Sequence, residues 1–191
     1  MTFEAVNDFT AEIEDQPMKN SEAILSTISY LQLPAESYIV IGGGNLVLRG
    51  TKDGTPDLDI LVPQDVFDWL ATVDSAVIKD SVFSPSRQLD ENLTVCLSNY
   101  LTQVPIKATT KIENGNYPMS FDSHKDQVDL INTIPCLKLE HIIAAKQALG
   151  RPKDLDDLAH IEAELTGRPV QLPSDRRRTP ISRRLRSALA K

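Results

Sequence analysis

Apolar positions first recur at helical spacing in residues 20–33, NSEAILSTISYLQL. Ile24, Leu25, Ile28 and Leu31 share a face, Asn20 or Ser21 can cap the start, and Leu33-Pro34 ends the run. The period then shortens. SYIVI, residues 37–41, is β-rich and runs into Gly42, Gly43 and Gly44, which free the backbone where strand passes into helix. NLVLRG predicts one or two helical turns with Gly50 as a stop, KDGTP a turn, and DLDILV, residues 57–62, a second strand closed by Pro63. QDVFDWLATV follows as a short amphipathic helix.

The pattern is weaker from about 75 to 127. NLTVCLS and PIKATTKI carry β-branched residues in partial alternation and predict strands, with ENGNYP as a turn or hairpin loop. QVDLINT, residues 127–133, is the next clear strand. After Pro135 the period is helical: KLEHIIAAKQALG places Leu139, Ile142, Ile143 and Leu149 on one face before Gly150. RPKDLDDLAHIEAELTG places Asp154, Leu155, Leu158 and Ile161 in register, so the two helices are expected to pack as a hairpin. These elements divide the chain into an N-terminal arm (1–18), one domain (19–167, with a core at 36–133 and closing helices at 137–167) and a C-terminal extension (168–191).

Composition adds the class. At 191 residues, 41% hydrophobic and 25% charged, the chain is sized for one globular domain with appendages. The first twenty residues carry acids and no apolar stretch, so neither a secretory signal nor a membrane span is read there and the expected address is cytoplasmic. Cys96 and Cys136 read as buried thiols rather than a disulfide framework. The net charge of −7 is divided unevenly. Residues 168–191 hold eight Lys or Arg and one acid, Asp175, which puts +7 on the extension and −14 on the remainder. Such a tail can lie along RNA phosphates or dock on an acidic surface, and it has no interleaved aromatics for base stacking.

The chemistry lies in the acids of the predicted strands. Asp57 and Asp59 alternate with Leu58 and Ile60 and so project on one side. If the strand bearing Asp129 pairs beside them, three carboxylates converge and need a common counter-ion, for which oxygen donors favour Mg2+. Asp122 and Asp126 are close enough to replace Asp129 if the register differs. Two ions held this way can polarise a phosphate, activate a hydroxyl and steady the leaving oxygen. The glycines offer bare N–H groups at a helix start, where phosphate oxygens can approach. None of the three histidines has ligand spacing.

The sequence of glycine pair, short helix and Asp-x-Asp in an apolar strand resembles the DNA polymerase beta-type nucleotidyltransferase superfamily in its small prokaryotic form. AAKQALGRPKDLDDL is similar to the closing helices of minimal and abortive-infection toxin (AbiEii-like) members. The resemblance covers residues 36–63 and 126–165. It implies an α/β (α+β) nucleotidyltransferase fold, a small mixed sheet with flanking helices and a C-terminal helical hairpin. It also implies an Mg2+-dependent enzyme that moves an NMP from an NTP such as ATP to a hydroxyl, on an RNA 3′ end such as that of tRNA, a protein or a small molecule. A toxin–antitoxin setting with a cognate antitoxin follows from the toxin-like relatives.

Carried over by position, Asp57, Asp59 and Asp129 become the catalytic acids and ligands of two Mg2+ ions, and Gly42 and Gly43 the phosphate-loop glycines. Lys146, Lys153, Asp154 and Asp157 match polar positions of the closing helices, on the nucleotide side. Relatives carry Ser or Thr after the glycine pair. Here Gly44 stands there, so that phosphate contact is lost or passes to Asn45, while Arg49 reaches the phosphates or pairs with Asp53. A member that binds nucleotide or partner without turnover, and a binding module built on the Arg-rich tail, are the alternative expectations.

Overall fold

The computed structural model describes residues 18–73, 76–80, 93–97, 104–112 and 117–170. The predicted arm (apart from Met18) and the extension from 171 onward lie outside these residues, as does 113–116 of the predicted hairpin loop. Helix α1 (Ser21–Leu31) starts where Asn20 accepts the Ala23 N–H and buries Ile24, Thr27 and Ile28. Strand β1 (Ile39–Val40) passes into α2 (Gly42–Leu48), then β2 (Leu58–Leu61) and α3 (Gln64–Ala71). Strands β3 (Ala76–Asp80), β4 (Leu93–Leu97) and β5 (Ile106–Thr109) follow, then the short β6 (Lys111–Ile112) and β7 (Met119–Ser120), which pair with each other. Helix α4 (Phe121–His124), β8 (Val128–Ile131), β9 (Ile134–Leu137), α5 (Leu139–Leu149) and α6 (Pro152–Thr166) complete the order.

Seven strands form one mixed sheet in the order β3-β4-β5-β2-β1-β9-β8. β2 runs parallel to β5 and antiparallel to β1, while β1 runs parallel to β9. Alternation divides the sheet's residues between two cores. Val40, Ile60 and Cys136 point to the side packed by α1 and α3, with Ile24, Ile28, Phe67 and Leu70. Ile39, Ile41, Leu61 and Leu137 point to the side packed by α5 and α6, with Ile142, Ala145 and Ile161. The result is a three-layer α/β arrangement, and among the described residues no helix is long and apolar enough to cross a membrane.

Three sequence expectations change. Helix α2 begins on the glycines themselves and not after them. Residues 134–137 form β9, a strand buried at every position between β1 and β8, where the helical period was expected to begin directly after Pro135. In α6 the inward residues are Asp154, Asp157 and Ile161, whereas Leu155 is 40% exposed.

Candidate functional site: an aspartate pair facing the helical hairpin

Asp59 lies within β2 and Asp57 just before it. Loop 51–57 is fixed by the Thr51 N–H on the Leu46 carbonyl, by a paired bridge between Thr55 and Lys19, and by the Thr55 hydroxyl donating to the Asp57 carbonyl. The Ile41 N–H donates to the Asp59 carbonyl at 3.0 Å, which brings the start of α2 against β2. There Gly42 adopts φ +60°, and a Cβ on it would lie 2.8 Å from Asp59 Oδ2. Glycine is therefore required twice over, for the left-handed backbone and for the carboxylate resting on it. Gly43 and Gly44 press as closely on Thr55 Oγ1 (2.6 Å) and Leu58 Cδ1 (2.8 Å), so all three glycines serve the packing of α2 on β2. A side chain at 44 would require the Leu58 side chain to shift.

The sheet does not bring Asp129 to the pair. Asp129 is in register with Cys136, Cys136 with Val40, and Val40 with Ile60, and residues in one such row share a face. Ile60 faces the α1/α3 side and Asp59 the other, so Asp129 projects from the opposite face of the sheet. It also lies three strands from β2, about 14 Å at the usual spacing. There it holds Arg49 at 2.7 Å. The Arg49 guanidinium also donates to Asn45 Oδ1 and the Leu137 carbonyl, and buried Asn45 donates to the Val40 and Leu137 carbonyls. Asp129, Arg49 and Asn45 thus lash α2 to the β1–β9–β8 half of the sheet, correcting their expected metal and phosphate roles; Arg49 pairs with Asp129 and not with Asp53. Asp122 is exposed on α4 and Asp126 is exposed after it, and neither replaces Asp129 beside the pair.

The position facing Asp59 on the neighbouring strand belongs to Lys107 of β5, in register across the parallel pair, and its ammonium contacts Asp57 Oδ2 at 2.5 Å. Burial pushes the Lys107 ammonium down, but Asp57 and Asp59 outweigh it and its pKa is raised. The Asp59 carboxylate makes no hydrogen bond or ion pair among the described residues. Burial, with the adjacent Asp57, pushes its carboxyl up to about 6 against the opposing pull of Lys107, Lys153 and Lys146. It is an acid short of a cation.

The opposite wall is the α5–α6 hairpin. Gly150, in the left-handed conformation at the end of α5, and Pro152, at the first turn of α6, reverse the chain in two residues. Lys146 Nζ meets Asp157 at 2.6 Å and Asp154 at 3.4 Å; Arg151 clasps Asp154 at 2.6 Å, and Lys52, from the loop before Asp57, reaches Asp157 at 3.0 Å. Burial raises the Asp157 carboxyl, but Lys146 and Lys52 hold it below its ordinary value. Lys146, Asp154 and Asp157 are therefore spent on one another, in a buried network joining hairpin to loop. Lys153 is different: its ammonium makes no hydrogen bond or ion pair among the described residues. The residue is exposed overall, but local desolvation of the ammonium and then Arg151 lower its pKa, while Asp57, Asp154 and Asp59 pull it up. Between the walls a cleft with roughly 450 Å³ of empty volume, open solvent included, is lined by Gly42, Asp59, Lys146, Arg151 and Asp154 and, on its apolar side, by Ile112, Met119 and Ile142.

Among the described residues no three His, Cys, Asp or Glu side chains gather as a metal cage. The pair with its lysines is what the fold assembles. Lys107 is the residue sequence reasoning missed, because nothing local marks a strand lysine as the cross-sheet neighbour of an acid 48 positions away. Comparison of the chain with protein-family models, with curated proteins and with solved structures finds no match in any of the three.

Proposed function

We propose that the chain has a nucleotidyltransferase fold and transfers an NMP from an NTP to a hydroxyl acceptor, with Mg2+ held between Asp57, Asp59 and the nucleotide's phosphates. The observation that supports this most directly is Asp59: a carboxylate without a partner among the described residues, beside a second carboxylate, against a glycine, at the edge of a cleft lined on its far side by cations. Hard oxygen donors at this density suit Mg2+, which keeps its other positions for phosphate and water. Bound there, the ion would supply Lewis-acid stabilisation of charge on the phosphate. Lys153, whose ammonium is near enough to Asp57 and Asp59 to feel both charges, is the ammonium available to the triphosphate. The network of Lys146, Asp154, Asp157, Arg151 and Lys52 fixes the wall that carries it. The acceptor is an RNA 3′ end, a protein or a small molecule. The eight basic residues from 168 onward favour RNA, and the toxin-like closing helices suggest a toxin with a cognate antitoxin.

A second reading, binding of nucleotide without turnover, is favoured by one specific observation: Lys107 faces Asp59 where a third acid would stand to take the acceptor's proton, and Asp129 is on the far side of the sheet. The full chain incubated with α-labelled NTPs, Mg2+ and total RNA or lysate separates the two. Transfer predicts a labelled species that disappears in Asp59→Asn. Calorimetric NTP binding that depends on Asp59, without label or pyrophosphate, selects the second reading. Absence of Mg2+-dependent NTP binding refutes both.

A further inference from the structure

Lys107 also bears on how many metal ions the site takes, an inference that rests on the function proposed above. Its placement is fixed by the backbone: β2 and β5 are parallel, with Leu58, Asp59, Ile60 and Leu61 opposite Ile106, Lys107, Ala108 and Thr109. Ile106 and Ala108 are buried in the opposite core, so Lys107 is held on the cleft side, where its Nζ lies against Asp57 Oδ2 with side-chain exposures of 23% and 16%. A pair of carboxylates that bridges two divalent ions needs open oxygens on both residues and a third acid to complete the set. Here one oxygen of Asp57 is already taken by the Lys107 ammonium, and no third acid gathers with the pair among the described residues.

We propose that Lys107 is a built-in monovalent substitute for one metal ion, so that the site holds one divalent cation per bound nucleotide rather than two. Asp57 Oδ1 and both oxygens of Asp59 remain for that ion, enough for a single hard cation whose other ligands are phosphate oxygens and water. A second dication at Asp57 would stand beside the ammonium, in a half-buried setting where like charges repel far more strongly than in water. Lys107 acts through Asp57 in this scheme and is a positioning residue.

Mn2+ binding, counted by electron paramagnetic resonance on the full chain with a non-hydrolysable α,β-methylene NTP analogue, tests this without any turnover. The expected count is one Mn2+ per bound nucleotide in the natural chain, lost in Asp59→Asn, and two in Lys107→Asp, which supplies an acid in place of the ammonium. Two Mn2+ in the natural chain would overturn the inference and leave the proposed function standing. One in both chains would also overturn it, because the lysine would then not set the number. Nucleotide binding without Mn2+ dependence removes the proposed function and the inference together. If Lys107→Asp fails to fold by circular dichroism, the count in the natural chain decides alone.

Discussion

Replacing Asp59 by Asn should make the metal-free protein more stable. An asparagine keeps the side chain's volume beside Gly42 but removes a charge that burial and Asp57 oppose. The carboxyl's displacement from 3.8 to about 6 is worth about 3 kcal/mol at pH values above both, at about 1.4 kcal/mol for each tenfold change. Because Asp59 faces an open cleft, water screening trims the expected gain to about 2 kcal/mol. The sign follows from proton uptake. With its folded pKa above its unfolded one, Asp59 binds more protons in the native state, so the natural chain loses stability as pH rises from about 4 through 6 and then levels off. The variant lacks that slope, and the two chains coincide below about pH 4.

Urea unfolding in chelator, repeated from pH 4 to pH 8, reads this as a difference curve. With a slope of about 2 kcal/mol/M, the midpoint of Asp59→Asn should exceed that of the natural chain by about 1 M at pH 8, and the gap should close toward pH 4. Adding Mg2+ and a non-hydrolysable NTP should stabilise the natural chain and leave the variant unmoved, reversing the order. A variant less stable than the natural chain at pH 8, or a difference flat across pH, would refute the view that Asp59 is an uncompensated acid. A carboxylate that costs stability until its ligand arrives is what a binding site requires and a purely structural residue does not.

Three further outcomes follow from the same geometry. Asp129→Ala should cost about 1 kcal/mol by thermal or chemical unfolding, since Arg49 keeps Asn45 and the Leu137 carbonyl, and should leave Mg2+–NTP affinity within about twofold by calorimetry; a loss of about 100-fold would return Asp129 to the metal site. Gly42→Ala should cost about 1–3 kcal/mol, from a strained φ and a Cβ 2.8 Å from Asp59 Oδ2, and should weaken nucleotide binding at least about tenfold in the same titration. Lys146→Met should cost about 2 kcal/mol near pH 7, less than the loss of an isolated buried pair because Asp154 retains Arg151 and Asp157 retains Lys52; as Asp157's pKa is depressed, its contribution holds above about pH 4 and fades as pH falls through its lowered value, so the deficit measured by urea unfolding should shrink in acid.

How far the site was legible depends on one strand. That Asp57 and Asp59 share a side, that glycines mark the strand-to-helix junction and that the last two helices form a hairpin all follow from local periodicity, and the structure has each of them. Residues 134–137, IPCL, carry none of the alternation of a half-exposed strand because they are buried on both faces, and Pro135 reads as a break. Leaving β9 out makes β8 a free neighbour for β2 and lets Asp129 join the pair. Restoring it separates them by two intervening strands, and the register Asp129–Cys136–Val40–Ile60 settles the face. Lys107 was illegible for the complementary reason: its partner is set by a parallel pairing whose register no local pattern records. The polar stripe of α6 misled in the opposite sense. Asp154, expected in register with Leu155 and Ile161, does point inward, but Asp157 joins it because Lys146, Arg151 and Lys52 meet the two acids there, and Leu155 is turned out in exchange. In each case the missing information was a charge or a strand supplied from far along the chain. Local patterning therefore located the acids, and only tertiary pairing identified the cations that decide what those acids can hold.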